Sequence, residues 1–284
     1  MRTKAIRDLA RLSDSELFRE ISNGLELVLE NAHQIEEHSR FLAENGKTRG
    51  YKILHAIAAE EAAKYLILID AIRCPRSSSK IFSRQLGHFD KHLSKGIYAH
   101  YYELSPATFR EVREWIESEL EEYYLDGPEG FEWIFRNEIL QRREEIFYVD
   151  YIESDNEHQW FSPKQYDIDN ATLMGVITPP IMEIARALRD AGFNNPDALA
   201  LIAEFWRPIP ITDNLTWNEL REYNCQTLNK LESKNLLHTS SKSIFSKIID
   251  KWLFPLYCID LGIVLVDKSR LRDIQERRAF DLYY

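Results

Sequence analysis

Residues Leu54 to Ile72 read LHAIAAEEAAKYLILIDAI, and only His55, Glu60, Glu61, Lys64 and Asp70 among them are polar. A helix that is apolar nearly all round belongs inside a bundle, with neighbours on several sides. Its seam runs Leu54, Ala58, Glu61, Tyr65, Leu68, Ile72, in alternating steps of four and three, the heptad spacing of packed helices. Glu61 falls on that seam, and Glu60 and Lys64 lie close together on the flank beside it. A carboxylate in such a place needs a partner, because burial alone is costly or forces it neutral. The stretch predicts a central helix that carries an acidic pair and a lysine where packing alone would favour Leu or Ala.

Outward from it, Ser13-Asp14-Ser15-Glu16 is a capping box that starts a first helix. Its stripe is Leu17, Ile21, Leu25, Val28, Ala32, Ile35 and Leu42, and Asn45-Gly46 ends it. The central helix then runs from about Thr48 to Cys74-Pro75, making a long antiparallel hairpin with the first. Phe82, Leu86, Phe89, Leu93 and Ile97 predict a third helix with His88 and His92 one turn apart on its flank. Ser105-Pro106 opens a fourth, whose core side is Phe109, Val112, Ile116, Leu120 and Tyr123. After the turn at Asp126–Gly130, a fifth helix from about Phe131 to Ile146 delivers Arg136, Arg142 and Arg143 toward Tyr148-Val149-Asp150-Tyr151. The segment from Glu153 to Ser162 has no helical pattern and reads as a loop ending in Trp160-Phe161.

Beyond Asp167 the texture changes to shorter helices punctuated by proline. Thr178-Pro179-Pro180 opens one that ends at Gly192, and Asn195-Pro196 another that reaches Trp206. Thr216-Trp217-Asn218-Glu219 is a second capping box, and helices are expected over Ser243 to Leu256 and Lys268 to Phe280. Strand signal is weak except at Gly262 to Val266, so the class is all-α: an antiparallel bundle followed by shorter helices. The boundary falls between Pro163 and Asn170, dividing the chain into residues 1–166 and 167–284.

The net charge of −10 argues against non-specific coating of nucleic acid, though a local basic pocket can still take RNA. With 10 glycines, none of them clustered, a phosphate-cradling loop is not credible, and neither nucleotide motors nor dinucleotide enzymes fit. The 3 cysteines are isolated, which points to a reduced cytoplasmic protein, and no apolar run is long enough to span a membrane.

Three constellations carry possible chemistry. Glu60, Glu61 and Lys64 form an E-E-x-x-K pattern that would pass for a surface ion pair but for its apolar setting. His88 and His92 share a helix face in this reading and, joined by Glu60 or Glu61, would make a metal site. Arg142-Arg143 with Tyr148 and Asp150 just beyond the helix can grip a phosphate and orient a hydroxyl, although arginine there also complements a helix C-terminus.

Taken in order, A-x-A-A-E-E-A-A-K at Ala56–Lys64, H-x-x-K-H at His88–His92, R-R-E-E-I-F-Y-V-D-Y at Arg142–Tyr151 and W-F-S-P at Trp160–Pro163 resemble the AbiV family. These are bacterial abortive-infection proteins of the HEPN superfamily, and the resemblance covers about Leu25 to Lys164. It implies a HEPN-like helical bundle, a homodimer, and an anti-phage effector acting on RNA or translation as a metal-independent ribonuclease without cofactors. HEPN sites usually pair an arginine with a histidine across four to six intervening residues; here Arg143-x4-Tyr148 has a tyrosine instead. The implied catalytic set is Arg143, Tyr148 and Asp150 with Glu61, Lys64 and His88, and Arg142, Arg143, Lys91 and His92 would contact phosphate. Two alternatives stand beside it: a non-enzymatic module that binds a phage or host protein, and a metal-dependent hydrolase built on Glu60, Glu61, His88 and His92.

Overall fold

The computed structural model describes residues 5–122, 137–154, 157–163, 178–265 and 269. Its spine is the expected helical hairpin. Ser13 Oγ accepts from the Glu16 N–H, the Glu16 carboxylate accepts from the Ser13 N–H, and α1 (Asp14–Glu44) begins. Gly46, at φ 67°, turns the chain in a left-handed conformation that glycine adopts without strain. Next, α2 (Thr48–Arg73) packs back along α1 until Cys74 leaves helical geometry ahead of Pro75. From Tyr65 to Arg73 every residue of α2 is buried, as its all-round apolarity required.

The third predicted helix is broken in two. α3 (Ser79–Gly87) passes into a 3-10 turn at His88–Asp90, Lys91 is extended, and α4 (His92–Tyr101) starts afresh. Gly87 is a poor helix former, and a methyl group there would meet Arg7 Nη2 at 2.7 Å, so the break is also where the N-terminal segment packs. His88 and His92 therefore share no helix face.

The fourth helix, α5 (Phe109–Leu120), starts three residues later than Ser105-Pro106 predicted. Thr108 caps it and also forms a β-bridge with Thr216, the cap of a later helix, so residues around 108 are held extended. Its buried face is Phe109, Val112, Ile116 and Leu120 as expected; Tyr123 and the turn at 126–130 lie outside the described residues. After α5, β1 (Glu121–Glu122) pairs in parallel with the late strand Val264–Leu265, β4, where strand signal was read.

Asn137 caps α6 (Glu138–Phe147), and the part of this helix expected at 131–136 lies outside the described residues. The expected loop after it is instead an antiparallel hairpin, β2 (Asp150–Ser154) with β3 (Glu157–Phe161). Tyr151 stands opposite Trp160 and Glu153 opposite His158, two residues apart and so on one face of the hairpin.

The shorter helices α7 (Pro180–Asp190), α8 (Pro196–Trp206) and α9 (Trp217–Ser233) match their proline and capping-box signals closely. By contrast, α10 (Lys242–Lys251) stops well before Leu256. The carbonyls of Leu253 and Phe254 accept from Arg73 and Tyr101, and the Leu256 N–H donates to Asp70, so this segment serves α2 instead of continuing a helix toward Pro255. The helix expected at 268–280 lies outside the described residues apart from Ser269.

One apolar core runs from Leu17 to Leu261 through both halves of the chain. At its centre Arg73 is fully buried between the rings of Trp206 and Trp252, at 4.9 and 4.4 Å, and is ion-paired with Asp70. Tyr98 Oη donates to the other Asp70 oxygen at 2.7 Å, so the buried carboxylate is fully satisfied. Among the described residues no helix is long and apolar enough to cross a membrane.

Candidate functional site

Helices α2, α4 and α6 pack against one another, and a single carboxylate sits where they meet. Glu60 Oε2 accepts from Lys95 Nζ at 2.9 Å and from His92 Nδ1 at 2.8 Å, while Glu60 Oε1 accepts from Arg143 Nε at 3.0 Å. Each helix contributes through its own local geometry. The position of Glu60 follows from the register of α2; His92 is the first residue of α4, and Lys95 follows one turn later on the same side. Arg143 is carried on α6, with its guanidinium over the Phe147 ring at 4.7 Å.

Gly96 makes the convergence possible. A methyl group at this position would overlap Ile139 of α6, so only glycine lets α6 come close enough for Arg143 to reach Glu60. Lys95 and Gly96 were not singled out from sequence. Their signal was the spacing His92-x-x-Lys95-Gly96, a turn of helix with two cationic residues and a small one beside them.

Burial alone would raise the Glu60 pKa, but the Lys95 ammonium and then His92 outweigh it and hold the carboxyl below its usual range. Glu60 is therefore an anion, and the His92 nitrogen facing it carries the proton. This fixes the ring orientation and leaves Nε2 as the basic atom, on a side chain that is half exposed. Lys95 is nearly buried, with Glu60 as its ion-pair partner. The assembled unit is an oriented imidazole beside a guanidinium and an ammonium, suited to holding an anion and moving a proton at it.

The other sequence-level candidates are distributed differently. Glu61 pairs with Lys64 at 2.6 Å, and Lys64 also lies over Phe89 at 5.2 Å; the flank pairing of Lys64 with Glu60 is not formed. His88 is buried with Nδ1 3.1 Å from Ser94 Oγ, away from Glu60's partners. Burial, with Lys91 and Arg84 nearby, pushes its pKa down to about 3, so it is a neutral core residue. The metal set of Glu60, Glu61, His88 and His92 is thus not brought together, and among the described residues no group of three or more such side chains converges. Tyr148 is exposed just past α6, its N–H donating to Glu144 O, and its ring meets Phe147 edge-on. Lys91 is exposed at the start of α4, next to His92. The side chains of Arg142 and Asp150 lie outside the described residues.

No curated protein and no solved structure matches the chain. The HEPN family model described as AbiV matches residues 20–172, more than half of the 284 residues and a span that includes Glu60, His92, Lys95 and Arg143. The chain belongs to the AbiV family of HEPN proteins.

Proposed function

We propose that this protein is an anti-phage abortive-infection effector that cleaves RNA without a metal, with Arg143 and Lys95 holding the scissile phosphate and His92 moving the proton. The observation that carries this reading is the shared anchor of His92 and Arg143 on Glu60. It supplies, from α4, the histidine that is a tyrosine at position 148 in the arginine-containing segment. In the proposed step His92 Nε2 takes the proton of a ribose 2′-hydroxyl, whose oxygen attacks the adjacent phosphorus. The phosphorus–5′-oxygen bond breaks, leaving a 2′,3′-cyclic phosphate, and the 5′-oxygen gains a proton. In-line attack places base and acid on opposite sides of phosphorus, so one histidine cannot serve both at once. A second copy, as expected of a homodimer, would supply the acid.

The test is incubation of the purified protein with total RNA and tRNA, with and without EDTA, beside Arg143→Ala, His92→Ala and Glu60→Gln variants checked for folding. EDTA-resistant cleavage that disappears in Arg143→Ala and His92→Ala is the expected result. Cleavage that needs a metal, or that survives both substitutions, overturns it. Growth arrest in cells without any cleavage would favour a protein-binding effector.

A further inference from the structure

The hairpin β2–β3 directly follows the helix that carries Arg143, and its face is unusual. Trp160 is 69 % exposed and Tyr151 58 % exposed, although they stand opposite each other with ring centroids 5.1 Å apart. The His158 ring stacks on Tyr151 at 5.9 Å and 30°, extending the surface along the strand. Tyr148, also exposed, lies just before the hairpin and meets Phe147, the ring on which Arg143 lies. Cross-strand ring pairs steady a hairpin, but that role does not require a tryptophan and a tyrosine with most of their surface in water.

We propose that this face is a stacking platform for unpaired bases of RNA, a substrate class that rests on the ribonuclease reading above. Three features select this occupant. Aromatic rings stack on any base through its π-face, as in single-strand binders, whereas a paired helix hides those faces. The next pair along the same face is Glu153 opposite His158, so polar residues bound the ring pair and it lacks the continuous apolar core of an interface with a second copy. Finally, the platform follows directly on the helix that carries Arg143. From Phe147, on which Arg143 lies, to Tyr151 is four residues, at most about 14 Å of extended chain, so one bound strand can reach both ring and arginine. The arrangement predicts cleavage next to unpaired bases, with the phosphate at Arg143 and the adjoining bases on Tyr151 and Trp160.

Fluorescence anisotropy with a short oligoribonucleotide, 2′-O-methylated to block cleavage, tests this directly against the same strand annealed into a duplex. The wild-type protein should prefer the single strand. Trp160→Ala and Tyr151→Ala should each weaken binding between about 5- and 100-fold, with Trp160→Phe retaining most of it. Salt dependence separates the parts: the ring variants should keep the wild-type slope, whereas Arg143→Ala should flatten it by about 0.7 for a lost phosphate contact. Binding that falls with Arg143→Ala but is untouched by Trp160→Ala and Tyr151→Ala overturns the platform and leaves the ribonuclease reading standing. No binding of either RNA by the wild type removes both. Unchanged RNA binding with lost growth arrest in Trp160→Ala cells would assign the face to a protein partner and overturn its role with RNA.

Discussion

Glu60 accepts from three side chains on two other helices, whereas its neighbour Glu61 pairs with Lys64 on its own helix. Heptad spacing drew attention to Glu61, because it measures only how a residue faces along its own helix. Which carboxylate becomes a hub depends on what α4 and α6 bring to it, and no spacing within Leu54–Ile72 records that. Glu60→Gln keeps the size of the side chain but removes the charge that balances the nearly buried Lys95 and turns one accepting oxygen into a donor. Urea unfolding at pH 7 should therefore show a loss of about 1–3 kcal/mol, with the net charge changing by only one. His88 makes a separate prediction about acid. Its folded pKa of about 3 lies below the ordinary histidine value of 6.5, so the unfolded chain binds the extra proton first. Stability is fully present above pH 6.5 and falls as pH drops toward 3, by at most about 1.4 kcal/mol per unit. His55, also lowered by burial, adds to the same limb. Glu60 acts only lower, because its depressed pKa contributes stability above the usual carboxylate range and loses it on further acidification. Urea midpoints at pH 7 and pH 5 should thus differ clearly in the wild type and differ less in His88→Asn. An unchanged difference would mean that His88 is protonated in the fold.

At the scale of elements, local chemistry was readable and tertiary capture was not. Ser13 with Glu16, Thr216 with Glu219, Pro180 and Pro196 mark true helix starts because each satisfies free backbone N–H groups or occupies the first turn without needing one. Ser105-Pro106 misled because the bridge between Thr108 and Thr216 holds that stretch extended, and Trp252–Leu256 because α2 uses its backbone groups. The break at His88–Lys91 was masked by apolar residues that keep helical spacing across it, Phe89 and Leu93 among them. The candidate site was half visible: Arg143, Glu60 and His92 were each noted, but their union depends on the close approach of α4 and α6 at Gly96. Gly96→Ala should displace α6, at about 1–3 kcal/mol of stability, and should reduce phosphate-dependent RNA binding as much as Arg143→Ala does. Adding Ile139→Ala should restore binding by removing the overlap, a coupling that a double-mutant cycle measures. If Gly96→Ala binds RNA like the wild type, α6 is not positioned through this contact.

Across the whole molecule, the change of texture near residue 167 marks a change in helix length, while the contacts that satisfy α1 and α2 come from beyond it. Arg73 needs the rings of Trp206 and Trp252, and Asp70 needs the Leu256 N–H. Tyr65 donates to Asn194, and the buried Glu36 is held by Arg186 and Thr178. Removing residues 167–284 would strip every one of these partners at once and uncover the face of α2 that packs on α7 and α8. The apolar face so exposed, together with an Asp70–Arg73 pair stripped of its rings and backbone partners, sets a large cost against a typical domain's net stability of about 5–15 kcal/mol. A chain ending at residue 166 should therefore lack a cooperative unfolding transition and show the loose packing and dye binding of exposed apolar surface. The intact chain should unfold in one step, with the fluorescence of its 6 tryptophans, the buried Trp206 and Trp252 among them, coinciding with the helical signal. Two resolved transitions, or a sharp transition in the truncated chain, would mean that the bundle of residues 1–166 stands alone and that the buried arginine is a docking device between independent parts. On the contacts of Arg73, the later helices are instead the second wall of the core in which α2, and with it Glu60, is held.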